Sequence, residues 1–362
     1  MSHLQRVAIP IRRTMSWATY NQIIPYESPS WAKTLKVQPK EKYNFSSLPT
    51  PVHEWNIPDV PKPFRLFIKR DDLTGSTLSG NKVRKLEFLI ADAVKNNYKH
   101  VITAGSFQSN HVRATAITAA QAGLKCHAVL RTPAAGVQYS GNFLLDILAG
   151  SEVYYVPTKA SSDSIIDPKM KEIAEKLEKE RNEKAYIIPI GASNALGSYG
   201  YISAFQELLD QGVDEMVDDI VITCGSGGSV EGLSIANLLT GSKFKIHGVC
   251  ACDGPAYFYQ HIQQTLDQLG LADVKAEDIA DFIDGYKGAG YGTSQEEDHR
   301  RIKEICSSSG VILDPVYTNK GLTGLLGEMS KNPQRFKGQR VLYFHTGGLF
   351  NIFDGRFSNE ID

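Results

Sequence analysis

The chain has 362 residues, 42% of them hydrophobic, and a formal charge of −1. That describes a globular protein with room for two domains of ordinary size, and it gives no support for nucleic acid or an anionic membrane as a partner. No apolar run approaches the ~20 residues a membrane helix needs, and the cysteines at 126, 224, 250, 252 and 306 show no zinc spacing, so no metal site is expected and reduced, mostly buried thiols are.

The first 26 residues hold Arg6, Arg12 and Arg13 and no acid before Glu27. This resembles a mitochondrial presequence, although Pro10 interrupts the helix such a signal forms. The plain alternative is an N-terminal arm, residues 1–45, of a cytoplasmic protein. The cytoplasm is the expected compartment and the mitochondrion the alternative. From Phe64 onward, short apolar runs alternate with helical patterns. Strands are predicted at Phe64–Lys69, His100–Thr103, Lys125–Leu130, Glu152–Val156, Ala185–Pro189, Asp219–Cys224, Lys245–Cys250 and Val341–His345. Helices are predicted near Asn81–Lys95, Asn110–Ala122, Gly141–Ala149, Ser164–Asn182, Leu196–Gln211, Ser229–Leu239, Ala256–Leu269, Ser294–Ser308 and Gly321–Lys331. Such alternation argues for an α/β protein with parallel sheets covered on both faces. The Lys- and Glu-rich stretch Asp167–Lys184 reads as a solvated helix face.

Two segments carry chemistry. In Ile68–Glu87, an apolar strand runs into a turn, Ser79-Gly80-Asn81, and then Lys82 opens a helical pattern. A lysine there sits near the positive end of the helix dipole, with Lys69, Arg70 and Arg84 close in sequence, so part of it is expected to be neutral and nucleophilic near pH 7. Asn81 reads as a helix cap. In Val221–Gly232, an apolar strand runs into Gly225-Ser226-Gly227-Gly228-Ser229 and a helix from Val230. Glycines allow close backbone approach, and a helix N-terminus offers free N–H groups to one phosphate. The turn lacks the lysine of a nucleotide-binding P-loop. A nucleophilic lysine and a phosphate cup are the minimum equipment for pyridoxal phosphate.

These segments do not stand alone. Leu78–Glu87 (LSGNKVRKLE), Gln108–His111 (QSNH), Ser193–Gly197 (SNALG), the Gly-rich loop and Asp314–Gly321 (DPVYTNKG) resemble, in order, the D-cysteine desulfhydrase and 1-aminocyclopropane-1-carboxylate (ACC) deaminase family of fold-type II pyridoxal phosphate enzymes. The resemblance runs from about Phe45 to about Phe353. It implies two doubly wound parallel-sheet domains like the tryptophan synthase β chain, with the cofactor between them. The larger would comprise residues 1–84 and 198–362, and the smaller, inserted one residues 85–197. It also implies a homodimer acting on a small amino acid.

By the same resemblance, Lys82 is the Schiff-base lysine and Ser226, Gly227, Gly228, Ser229 and Val230 hold the phosphate. Asn110 touches the ring hydroxyl, while Ser109, Asn110 and His111 hold the substrate carboxylate; the deaminases have glutamine in place of His111. Tyr291 and Tyr317 match two active-site tyrosines. Two departures choose a branch. The deaminases place a glutamate against the pyridine nitrogen where this chain has Thr318, and a leucine where it has Thr346. A threonine hydroxyl cannot keep the ring protonated as a carboxylate does, and opening a cyclopropane needs more electronic help than expelling sulfide. The expected activity is therefore α,β-elimination of D-cysteine to pyruvate, hydrogen sulfide and ammonia. ACC deamination, or elimination from another small amino acid such as D-serine, is the alternative.

Overall fold

The computed structural model describes residues 19–132 and 138–357; the first 18 residues, and with them most of the presequence-like stretch, lie outside the described residues. The strands are β1 Ile23–Pro25, β2 Glu41–Tyr43, β3 Val52–Glu54, β4 Arg65–Arg70, β5 His100–Ser106, β6 Lys125–Thr132, β7 Glu152–Pro157, β8 Ala185–Ile187, β9 Asp219–Cys224, β10 Lys245–Cys250, β11 Asp281–Ile283 and β12 Arg340–His345. All eight strands expected from the sequence are present, and the four short ones at Ile23, Glu41, Val52 and Asp281 are additions.

Ten of these strands form two sheets. One has six strands in the order β11-β10-β9-β12-β4-β3, parallel except for β3; the other has four parallel strands in the order β7-β6-β5-β8. The four-stranded sheet is built wholly from the chain between His100 and Ile187, and the six-stranded sheet takes strands from both sides of that stretch. Strands β1 and β2 make a separate antiparallel pair.

Side-chain alternation explains the double winding. In β9, Ile220 and Ile222 point into a core shared with helices Tyr199–Asp210, Gly228–Leu239 and Pro255–Leu269, while Val221 points into one shared with helices Glu296–Ser309 and Thr318–Lys331. Successive strand residues face opposite sides, so a strand apolar at every position must be covered twice. In the smaller sheet, Val101 packs toward helices Lys82–Lys95 and Asn110–Gln121, and Ile102 toward helix Asp167–Arg181. Helix Lys82–Lys95 serves both halves: Leu86, Leu89 and Ile90 join the small sheet's core, and Phe88 joins the large sheet's. Its N-terminus, with Lys82, therefore opens between the two sheets.

That helix is anchored by a buried charge cluster. Arg84 is paired with Asp71 at 2.8 Å and with Glu207 at 3.0 Å, and Glu207 is also paired with Lys69 at 2.5 Å. Thr50 and Tyr201 donate further hydrogen bonds to Asp71. Burial alone would raise the pKa of Glu207, but Arg84 and Lys69 outweigh it and hold the group at about 2.

Candidate active site

A cavity of about 890 Å³ lies between the sheets, at the C-terminal ends of their strands. This is where open α/β sheets place ligands. It is bordered by Lys82, Ser109, Asn110 and His111 on one side, and by Gly225, Ser226, Tyr291, Tyr317 and Thr346 on the other. Segments distant in sequence are thus brought to one space.

Lys82 is the first residue of its helix and is half-buried at the cavity wall. Desolvation lowers its pKa to about 8, with Arg113 adding in the same direction and Cys224 and Cys252 opposing. The cause differs from the sequence expectation. Lys69 and Arg84 are neutralised within the Asp71–Glu207 cluster, and Arg70 is paired with Asp72 at 2.6 Å. The turn before Lys82 is set by contact. Gly80 has φ +111°, and a Cβ on it would lie 2.7 Å from the Thr346 carbonyl, so only glycine allows the turn to press on the segment Thr346–Gly347. Asn81 stands at the cap position, as expected, but its side chain makes no capping bond and instead donates across the site to Ser229 Oγ at 3.0 Å.

Ser109 caps helix Asn110–Gln121 by accepting from Val112 N at 3.3 Å, and it also borders the cavity. Asn110 Oδ1 is buried without a hydrogen-bond partner among the described residues. His111 Nε2 lies 2.8 Å from Thr103 Oγ1; burial, then Lys82 and Lys85, push its pKa well down, which keeps the ring neutral.

The Gly-rich turn is more layered than its sequence suggests. Ser226 borders the cavity, whereas Val230 is fully buried behind it and Ser229 receives Asn81. A Cβ on Gly227 would meet His261 at 2.7 Å, and one on Gly228 would meet Ser193 Oγ at 2.6 Å. Two residues missed in the sequence complete this corner. Ser193 Oγ lies 2.8 Å from Ser226 Oγ, accepts from Gly228 N at 3.3 Å, and receives Lys85 Nζ at 3.3 Å. Both were within quoted motifs; what hid them is that a serine after a bend and a lysine one helical turn past Lys82 look like ordinary surface residues.

Tyr317 and Tyr291 meet through their hydroxyls at 2.8 Å, and Tyr291 also reaches Ser106 of the smaller sheet at 3.2 Å. Burial, then the neighbouring Tyr291, raises the Tyr317 pKa well above its ordinary value. Thr346 borders the cavity, but Thr318 does not. Thr318 is fully buried and its hydroxyl donates to Asp314 Oδ1 at 2.8 Å, a bond that holds the start of its helix. Asp314 organises the turn that leads into this helix, accepting from the backbone N–H groups of Val316, Tyr317 and Thr318. Cys252 also borders the cavity; burial and Asp253 push its thiol up to about 12, so it stays protonated.

These features fit pyridoxal phosphate. There is an amine of lowered pKa, a buried orphan acceptor on Asn110, and a polar corner of Ser193, Ser226 and Lys85 at a helix N-terminus.

Comparison with known proteins agrees. Residues 45–347 match the family described as pyridoxal-phosphate dependent enzyme. A mitochondrial bifunctional D-cysteine desulfhydrase/1-aminocyclopropane-1-carboxylate deaminase of Arabidopsis thaliana is 42% identical over 97% of this chain and 90% of its own. A putative ACC deaminase of Thermotoga maritima is 37% identical over 86% of this chain and 97% of its own, and a D-cysteine desulfhydrase of Klebsiella pneumoniae is 36% identical over 80% and 88%. A solved ACC deaminase homologue superposes with a TM-score of 0.75 at 33% identity, covering 85% of this chain and 92% of the other. The chain therefore belongs to the fold-type II pyridoxal-phosphate dependent enzymes, among the D-cysteine desulfhydrases and ACC deaminases.

Proposed function

We propose that this protein eliminates hydrogen sulfide from D-cysteine, releasing pyruvate and ammonia. The observation that carries the choice of reaction is the wall beside Tyr317, where Thr346 borders the cavity and Thr318 is locked to Asp314. The resemblance puts leucine and glutamate at these positions in ACC deaminases. The desulfhydrase names of the Arabidopsis and Klebsiella relatives support the same reading.

Pyridoxal phosphate, when bound, holds the substrate amine covalently and takes up the electron pair left at the α-carbon. Ser193, Ser226, Lys85 and the N–H groups at the start of helix Gly228–Leu239 would hold its phosphate, and Asn110 its ring hydroxyl. The substrate carboxylate is received by Ser109, Asn110 and His111 at the start of helix Asn110–Gln121, where free N–H groups favour an anion. Lys82, neutral in part near pH 7, accepts the α-proton at Nζ. The C–S bond breaks, and the Tyr317 hydroxyl, kept protonated by burial and hydrogen-bonded to Tyr291, supplies a proton to the departing sulfur. Water converts the remaining three-carbon product to pyruvate and ammonia.

The holoenzyme is to be assayed for pyruvate from both cysteine enantiomers and for 2-oxobutyrate from ACC. D-Cysteine is expected to be fastest. Faster turnover of ACC would overturn the reaction, and preference for L-cysteine would overturn the stereochemistry. The homodimer that the resemblance implies is part of the same proposal and is checked by light scattering. The acid-free N-terminus and the mitochondrial name of the Arabidopsis relative support a mitochondrial destination over the cytoplasm, which a fluorescent fusion of the first 26 residues tests.

A further inference from the structure

Lys320 stands outside the chemistry above, and its surroundings are unusual. It lies in the first turn of helix Thr318–Lys331 and is 2% exposed. A cation there is penalised twice, by desolvation and by the positive end of the helix dipole. Burial indeed lowers its pKa, while Asp298 and Asp314 oppose. What it gains is two backbone carbonyls, those of Lys287 at 2.8 Å and Gly290 at 2.6 Å.

Those carbonyls belong to the segment that carries Tyr291. Gly285, Gly288, Gly290 and Gly292 all have positive φ, and a Cβ on any of them would meet nothing within 4 Å. The glycines are there for backbone conformation, not for packing; Tyr286, packed on the core, and the Lys287–Asp284 pair anchor the start of the segment, and from Gly288 to Gly290 it has no large side chain to fix it. Its internal hydrogen bonds are long: Gly290 N to the Lys287 carbonyl and Thr293 N to the Gly290 carbonyl are each 3.3 Å. The two carbonyls that close these turns are the two that Lys320 grips. Arg356 holds the Gly292 carbonyl at 2.6 Å on the far side of the tyrosine, and Tyr286 is tied to Glu328 at 2.9 Å at the near end. Between these supports, the Tyr291 hydroxyl meets Tyr317 and Ser106, the one from the large half and the other from the small half.

We infer that Lys320 is a positioning residue: its ammonium locks the glycine-rich segment 285–292 and thereby sets the Tyr291 hydroxyl against Tyr317 at the cavity. This rests on the reading that Tyr291 serves the reaction proposed above. Misplacing a reacting group by about 1 Å can cost on the order of a hundredfold in rate. Lys320→Met, which keeps the aliphatic stem and removes the donors, is therefore expected to lower kcat for D-cysteine by about tenfold to a hundredfold, with KM and bound cofactor little changed.

The measurements use the holoenzyme. Hydrogen exchange of segment 285–292 should quicken in Lys320→Met and stay near wild type in Lys320→Arg, which keeps a cation able to reach both carbonyls. In the Tyr291→Phe background, the effect of Lys320→Met on kcat should shrink to less than about threefold, because the two act as one unit. Unchanged exchange in 285–292 would overturn the inference, and so would a full Lys320→Met effect on kcat in the Tyr291→Phe background. Faster exchange together with a Tyr291→Phe enzyme of normal kcat would leave Lys320 as the lock and remove Tyr291 from the chemistry, so the two readings fail separately. If Lys320→Met does not fold, Lys320→Gln, which removes the charge and is too short to bridge both carbonyls, carries the same test.

Discussion

At Lys82 the decisive quantity is the fraction of free amine. A pKa of about 8 leaves about a tenth of the groups neutral at pH 7, against about one in three thousand for an ordinary lysine. Covalent capture of pyridoxal phosphate by the apoprotein should therefore speed up as pH rises and level off above about 8, followed by the visible absorbance of the lysine-bound cofactor. A rate still climbing steeply at pH 10 would show that the amine titrates normally. Borohydride reduction and peptide mapping should place the label on Lys82, and Lys82→Ala should abolish turnover while retaining loosely held cofactor. Label on Lys85 would reverse the roles of the two lysines, whose side chains share this corner. The sequence pointed to Lys82 for a partly mistaken reason: its neighbours in sequence are charged, but those charges are cancelled by Asp71 and Asp72 of the same segment and by the distant Glu207.

Elements hold these residues in place, and two of them can be tested directly. Glu207, on helix Tyr199–Asp210, ties Lys69 of β4 and Arg84 of the Lys82 helix together. Removing one member of a buried pair strands the other charges, so Glu207→Gln should destabilise the protein by about 3–5 kcal/mol at pH 7. The folded-state pKa of about 2 is below the ordinary glutamate value of 4.5, so this stabilisation is fully present above about 4.5 and fades as pH falls through about 2. Denaturant titrations of wild type and variant should thus converge on acidification; a gap that persists at low pH would assign the cost to packing. At the Gly-rich turn, Gly227 faces His261 with φ +91°, so a valine there strains the backbone and confuses folding with binding. Gly228→Ala is the cleaner probe. Its Cβ would displace Ser193 Oγ and crowd Lys85 Nζ, 3.1 Å away. Loss of one hydrogen bond to a charged group, about 1.5–3 kcal/mol, should weaken cofactor binding by about tenfold to a hundredfold, while the 2.9 Å approach to Ser193 Cβ lowers the melting temperature of apoprotein and holoenzyme alike. Cofactor retained normally after dialysis would make the turn a scaffold only. The main strands and helices were legible because each is long enough to show a period. The short strands at Ile23, Glu41, Val52 and Asp281 were not, since three residues carry no period; Ala185–Ile187 is as short but sits in a longer apolar run, Ala185–Pro189, that gave it away.

For the molecule as a whole, function depends on what two sheets bring to one cleft, and here motif order was legible while side-chain direction was not. Ser109, Asn110, Ser226, Tyr317 and Thr346 were each named from sequence and all border the same cavity. Thr318, one residue past Tyr317, points away from it because a helix start turns successive side chains by about 100° and Asp314 captures the hydroxyl. This changes the expected outcome of converting the enzyme. D-Cysteine should remain the fastest substrate, D-serine slower because hydroxide leaves less readily, and ACC slowest. A glutamate at position 318 would replace a donor to Asp314 with a second carboxylate, in a site 0% exposed, so repulsion and desolvation both oppose it. Thr318→Glu combined with Thr346→Leu should therefore lose D-cysteine cleavage and stability together, and gain ACC deamination only if the helix start shifts to bring the new carboxylate to the cavity. Thr346→Leu alone should keep the fold and narrow the cavity, lowering D-cysteine turnover without unmasking ACC. Steady-state pyruvate and 2-oxobutyrate assays on wild type, both single variants and the double variant decide the matter. A stable double variant with brisk ACC deamination would mean that residue 318 reaches the ring after all.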